Sequence, residues 1–485
     1  MTNSLERANY RVTFAVLLLG ASAYSLLQSL VIPALHTIQA DLNTSQNTVT
    51  WVVTAYLLSA SIFTPIMGRV GDMVGKERML VATLIALGIG SIVAGLAHSI
   101  GVLILGRAIQ GIGGGVLPLS FGIIRDEFPA KKVATGVGVM AAITAVGGGL
   151  GLVVAGPIIN HLNYHWLFWF PLIIVIIAAV CAQFFVPESP VRTPGKISWS
   201  AAVLLSGWLV ALLLGVSEAP NWGWGSPRVL GLFALAAILI VVWIIVEIRS
   251  EQPLIDMKMM RVPAVWTNNL VAFLFGIGMY SVMAFLPEFI QTPTSAGYGF
   301  GASIVQSGIF LLPLTVAMFT FGLLSGRIAN KIGSKMAVII GSVISCLGYA
   351  TLAFAHAHSW QIYVASGLLG VGLGLAFSAM SNLIVQAVPP SQTGVASGMN
   401  ANIRTIGGAV GAAVMSSIVT ATVLPGGLPA ESGYKNGFLF LAVVTLFAVV
   451  AATLIPHEDK ARLQSEEHMQ HAELAFVPGG TISEG

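Results

Sequence analysis

Charge is scarce in this sequence. Lys, Arg, Asp and Glu make up 8% of its 485 residues, against about 25% in a soluble domain, which excludes an ordinary water-soluble enzyme. Cysteine is nearly absent. Cys181 and Cys346 both fall inside apolar runs, so they offer no disulfide framework and no metal-ligand spacing, and no metal is expected. Nucleotide signatures are missing too. The glycine runs at 111–115, 147–151 and 407–411 follow no strand and end in no Lys-Ser/Thr pair. No cofactor is expected, and energy for any work has to come from an ion gradient. A net charge of +3 is too small to point to nucleic acid. At membrane depth there is no carboxylate pair, Ser/His dyad or metal cluster of the kind an intramembrane enzyme needs.

Apolar length is what the chain has instead, at 56% hydrophobic residues. A spanning helix takes about 20 mostly apolar residues. Fourteen such runs lie at roughly 12–35, 48–67, 79–97, 101–124, 133–159, 166–186, 199–216, 227–247, 264–287, 302–325, 336–355, 360–385, 394–421 and 434–455. The expected fold class is an all-α membrane protein with fourteen transmembrane helices. The first run is too long for a signal-peptide core and ends in no small-residue cleavage pattern, so it reads as a helix that stays. From Pro456 the chain turns polar and is expected to be disordered.

Basic residues set the orientation. With the N-terminus in the cytoplasm, eighteen of the 22 Lys and Arg fall in cytoplasmic segments, Arg228 and Lys435 fall outside, and Arg107 and Arg404 lie within spans. Positive charge prefers the cytoplasmic side, so both termini are expected there, in a bacterial inner membrane.

The chain also repeats itself. GRVGDMVGKER at Gly68–Arg78 returns as GRIANKIGSK at Gly326–Lys335, each a short basic turn between two apolar runs. GIGGG at Gly111–Gly115 is echoed by GVGLG at Gly370–Gly374. At a constant offset Pro129, Gly138, Gly147, Gly148 and Gly151 fall on Pro389, Gly398, Gly407, Gly408 and Gly411. Six runs within 1–187 therefore match six within 263–455. The two runs within 188–262 are an insertion, joined by EAPNWGWGSP, whose Trp222 and Trp224 suit an interfacial anchor. Residues 456–485 form a tail. Internal repeats of this kind mark secondary transporters, which bind between their halves.

These residues resemble the major facilitator superfamily, in particular its fourteen-helix drug/proton antiporter branch of six plus two plus six helices. Gly68, Asp72, Gly75, Lys76 and Arg78 match its signature loop. Arg107, Gln110 and Gly111 in RAIQGIGGG match its buried-arginine motif, and WVVTAYLL and SGMNANIRTIGGAVG also look like this branch. The resemblance implies proton-coupled efflux of amphipathic small molecules by alternating access, driven by the proton gradient. It also implies a proton-coupling role for Arg107 and Gln110. The sequence departs from the branch twice. Tyr24 stands where an Asp is usual nine residues before a Pro, here Pro33. In the antiporter motif Gly147, Gly151 and Gly156 fit as helix-packing glycines, whereas Leu152 and Ala155 replace a Pro and a Gly.

Site expectations follow. Gly68, Asp72, Gly75, Lys76 and Arg78 read as a conformational latch, with Asp72 facing a helix end or a basic residue of the other half in one state. Its second copy is Arg327, Asn330 and Gly333, with Asn330 lacking the charge. Asp126 and Glu127 read as loop charges, and Glu288 as the one carboxylate desolvated enough to carry a proton. Tyr24, Gln28, Asn268, Asn269, Gln306, Asn382, Asn400 and Arg404 are cavity candidates, with Ser29 and the helix-9 side chains Phe273, Phe275, Tyr280, Met283 and Phe285 beside them. Two deep arginines without a deep carboxylate give a cavity that leans positive. Neutral or anionic amphiphiles are then the expected partners rather than dications, alongside protons and membrane lipid, with the chain a monomer. Two alternatives stay open: an exporter or uptake facilitator for a specific metabolite or lipid-like compound, and a non-transporting membrane sensor.

Overall fold

The computed structural model describes residues 9–44, 46–189, 198–250, 253–389, 392–424 and 428–456. Fourteen helices among them are long and apolar enough to cross a membrane. They are α1 Tyr10–Ala34, α2 Trp51–Val74, α3 Lys76–Gly95, α4 Ile100–Glu127, α5 Thr135–His161, α6 Trp166–Phe185, α7 Trp199–Trp222, α8 Pro227–Arg249, α9 Pro263–Gln291, α10 Ile304–Ala329, α11 Ser334–Phe354, α12 Ser359–Ala387, α13 Thr393–Val419 and α14 Glu431–Thr453.

The basic turns are shorter than their sequence implies. The helix carrying α2 runs on to Val74 and α3 begins at Lys76, so Gly75 alone makes the turn, at φ +136°. The second copy does the same. Gly333, at φ +84°, is all that separates Ile332 from Ser334. Only glycine takes these backbone angles without strain. Hydropathy marks where a helix leaves hydrocarbon, not where it ends, so the polar residues of each turn are helical. Asp72 and Lys76 thus stand on two rigid helix ends. The apolar run of α1 is likewise α-helical only to Ser29; Pro33 sits in a 3₁₀ turn at Ile32–Ala34.

The repeat governs packing as well as turns. In the first half α5 lies against α1, where a Cβ on Gly147 or Gly151 would collide with Ser25 or Ser29. In the second half α13 lies against α9, and Gly407 and Gly411 meet Phe273 and Ile277. Small residues let helix backbones close up where lipid supplies no hydrophobic drive. Each half has its own apolar core. They touch along two seams. At one, α5 meets α10, with Gly149 facing Thr315 and Gly156 facing Val305. At the other, α2 meets α13. The inserted pair α7–α8 covers this second seam: Trp208, Leu209 and Trp243 share a third core with Leu58 and Ile62 of α2 and Met399 and Ile406 of α13.

Candidate functional site

Between the halves, at mid-depth, lies a cavity of about 90 Å³. Its wall draws on α1, α2, α4 and α5 of the first half and α9, α10, α12 and α13 of the second. Phe275, Phe377, Met279, Met283 and Met318 give it an aromatic and thioether surface; Tyr24, Gln28, Ser29, Tyr280 and Arg404 are among its polar members. Gln28 Nε2 donates to Tyr280 Oη across the gap at 3.0 Å, joining the halves. No Asp or Glu lines the cavity among the described residues. Pockets for drug-sized ligands run to about 300–1,000 Å³, so this conformation is too tight to hold one.

The two intramembrane arginines are treated differently. Arg107 is fully buried. Its Nε donates to Val52 O at 2.9 Å, its Nη1 to Leu27 O at 2.9 Å and to Gln110 Oε1 at 2.8 Å, and its guanidinium lies 4.2 Å from the Tyr56 ring centre. Gln110 in turn donates to Ser91 Oγ at 2.9 Å. This one network ties α4 to α1, α2 and α3, and the backbone carbonyls that accept from Arg107 belong to α1 and α2. Arg404 does line the cavity. Its guanidinium sits 4.2 Å from the Phe377 ring centre, and its buried Nε finds no acceptor.

Ser29 lines the cavity as expected, and the remaining expected cavity residues lie elsewhere. Asn400 Nδ2 donates to Asn269 Oδ1 at 2.8 Å, and Asn268 Nδ2 to Met380 O at 2.9 Å; both bonds hold helices together away from the cavity wall. Asn382 Nδ2 reaches Ser334 Oγ at 3.4 Å. Gln306 forms a capping box with Ser303 at the start of α10, at the end opposite the basic turns. Polar residues in spans more often bond to neighbouring helices than face a ligand, since hydrocarbon leaves no other partner. Phe273 and Phe285 pack outside the cavity, against the second-half core.

The carboxylates also need correcting. Glu288 is exposed, near the end of α9 opposite the basic turns and beside Tyr434; burial instead falls on Asp72, Glu77, Asp126, Glu218 and Glu247. Asp126 is no loop charge. It lies on the last turn of α4, where Lys76 Nζ is 2.8 Å from one of its oxygens and 3.4 Å from Asp72. Ser189 Oγ also donates to Asp126. The stem of Lys76 runs over Gly122, where a Cβ would stand 2.8 Å from it. Asp72 meanwhile faces the other half, each of its oxygens 3.1 Å from where a Cβ on Gly394 would stand, in the first turn of α13. A helix N-terminus attracts negative charge. Gly68 lies against the same turn, its absent Cβ 2.8 Å from Gly394 O. Arg78 approaches Glu188 at 3.6 Å, largely in solvent. In the second copy Arg327 is exposed, Gly333 makes the turn, and the Asn330 side chain lies outside the described residues.

Several residues escaped the sequence argument, Glu247 and the cavity members Met279, Met318, Leu373 and Phe377 among them. Glu247, buried near the end of α8, accepts from Leu254 N at 2.9 Å and Ile255 N at 3.3 Å and so folds the linker back on the helix. An acid inside the run WIIVEIR was the available signal. Met318 lines the cavity and carried no signal, since every face of α10 is apolar.

The sequence model described as Major Facilitator Superfamily matches residues 17–412 and, a second time, 269–481. The multidrug transporter protein MdtP of Bacillus subtilis is 29% identical over 376 residues, which cover 77% of this chain and 68% of that protein. The multidrug resistance protein B homolog of Mycobacterium tuberculosis is 27% identical over 459 residues, 90% of this chain and 81% of that one. Among solved structures, the human organic anion transporter MFSD10 superposes with a TM-score of 0.66 at 16% identity, covering 91% of this chain and 99% of that chain. The proton:xylose symporter XylE gives 0.66 at 14% identity, covering 92% and 96%. At such identities the solved structures share the fold.

Proposed function

This chain belongs to the Major Facilitator Superfamily, and we propose that it is a secondary active exporter of amphipathic small molecules, of the multidrug type, working by alternating access in exchange for protons. The names of its relatives support the substrate class. The observation that carries the reading is the cavity: both halves build it at mid-depth, and it is too small for a drug-sized ligand until one end parts. In this reading the basic end is cytoplasmic, with both chain termini beside it, and it opens when α2 and α4 leave α13. Asp72 then loses its helix end while Lys76 keeps Asp126. Arg107 and Gln110 hold α1 to α2, α3 and α4 during the movement. Among the described residues the wall carries a cation and no carboxylate, so neutral or anionic amphiphiles are the favoured cargo and dications are not.

Inside-out vesicles test the reading. Adding an amphipathic substrate should dissipate a preformed proton gradient. Efflux that continues unchanged after a protonophore collapses the gradient defeats proton exchange. A second reading, facilitated export without proton exchange, is favoured by one observation, the absence of an acid from the described cavity wall. The same vesicles separate the two.

A further inference from the structure

Among the described residues, the Arg404 guanidinium makes no hydrogen bond. It is 7% exposed, near the middle of α13, and forms part of the cavity wall. Its Nε is buried with no acceptor, and among the described residues its one close partner is the face of Phe377. Tyr24 and Tyr280, its nearest titratable neighbours, are phenols that offer no negative charge. Arg107 is held differently: it makes three hydrogen bonds and meets an aromatic face, and only its Nη2 is left without a partner. A buried charge left without an acceptor is costly, and a planar fork of N–H donors is matched by a carboxylate.

We propose that Arg404 is the specificity-determining residue of the cavity and binds the carboxylate of a monoanionic amphiphile, whose aromatic body lies among Phe275, Phe377 and the cavity methionines. One cation and no acid among the described wall residues favours a single negative charge. Flexible thioethers favour apolar bodies of varied shape. The hydroxyls of Tyr24 and Tyr280 stand on the same wall to donate to the second carboxylate oxygen. The proposal rests on the transport reading only for the identity of the cavity; binding itself is measured without transport.

The test uses the full chain in nanodiscs of zwitterionic lipid. Three ligands share one ring system: 2-naphthoate, its methyl ester and 2-naphthylmethylammonium. The carboxylate should bind about tenfold or more tightly than either of the others, the scale of one charge-assisted contact. Arg404→Gln should erase the preference. Arg404→Lys should retain part of it, and Phe377→Leu should weaken all three ligands alike. Equal affinity for the three ligands in the unaltered chain overturns the proposal without any variant. So does a carboxylate preference that survives Arg404→Gln. Displacement of naphthoate by phosphatidylglycerol added to the nanodisc assigns the anion to lipid and overturns it as well. Loss of proton-coupled efflux with the naphthoate preference intact removes the antiport reading and leaves this one standing; efflux without any charge preference does the reverse.

Discussion

At the scale of single residues, the two intramembrane arginines predict opposite responses to the same change. Arg107→Gln removes three hydrogen bonds made by a buried cation. Bonds to charged groups contribute about 1.5–3 kcal/mol each, so even with partial replacement by the glutamine the loss should be about 3 kcal/mol, read as a clear drop in melting temperature. Arg404→Gln deletes an unpaired cation, and the melting temperature should hold or rise. Equal destabilisation by the two changes would contradict the environments described. Lys76 makes a third case. It is the cation between Asp72 and Asp126, and removing one member of a buried ion pair costs about 3–5 kcal/mol because the others stay charged. Lys76→Met should therefore destabilise strongly, and adding Asp126→Leu should recover part of the loss. Strict additivity of the two changes in thermal unfolding would argue against the pair.

Among helices, the contact of α2 with α13 turns on the absence of a side chain. Gly68→Ala places a methyl group 2.8 Å from Gly394 O, closer than carbon and oxygen can approach. The basic ends must separate, and cysteines placed there should label faster than in the parent chain. Asp72→Asn keeps the shape and removes the charge that faces the first turn of α13. Transport should slow while substrate affinity holds; unchanged turnover would deny the contact a role in switching. Glu288→Gln, at an exposed position, should leave coupling intact. These contacts were half visible in the residues. The doubled turn, its glycines and Asp72 stand out because charge and glycine are rare in an apolar chain. Asp126 did not, because an acid beside Arg125 at a span's end looks like any loop charge until the preceding helix, α3, brings Lys76 to it. The asparagines misled for the opposite reason: a polar residue in a span announces that it has a partner and does not say whether that partner is a ligand or a helix.

For the whole molecule, the fourteen spans, the doubling and the insertion all follow from apolar length and repeat spacing. What apolar length withholds is facing. The apolar windows of α12 and α3 are equally hydropathic, yet 89% of the first is buried and 56% of the second. No periodicity separates them, because a side chain suited to lipid is equally suited to a protein core. The cavity wall was therefore legible only at some of its polar members, Tyr24, Gln28, Ser29 and Arg404, and at Phe275, Tyr280 and Met283 of α9. The charge of the wall has an electrical corollary at this scale. A monoanion leaving against one entering proton moves two charges in the same direction, adding about 4.6 kcal/mol of drive per 100 mV of inside-negative potential. In proteoliposomes clamped with valinomycin and potassium, export of a naphthoate-like substrate should rise steeply with potential. A rate indifferent to potential would rule out that stoichiometry.

The inserted hairpin is fastened to both halves at the end away from the basic turns. Ser217 of α7 shares a hydrogen bond of 3.2 Å with Thr54 of α2, and Trp224, just beyond α7, donates to Ser417 of α13 at 2.8 Å. A brace pinned to two bodies cannot follow both when they swing apart. Parting that end has to shed one of the two pins or flex the hairpin, so the insertion acts as ballast on one side of the cycle, and a chain of twelve helices, lacking it, would swing more freely.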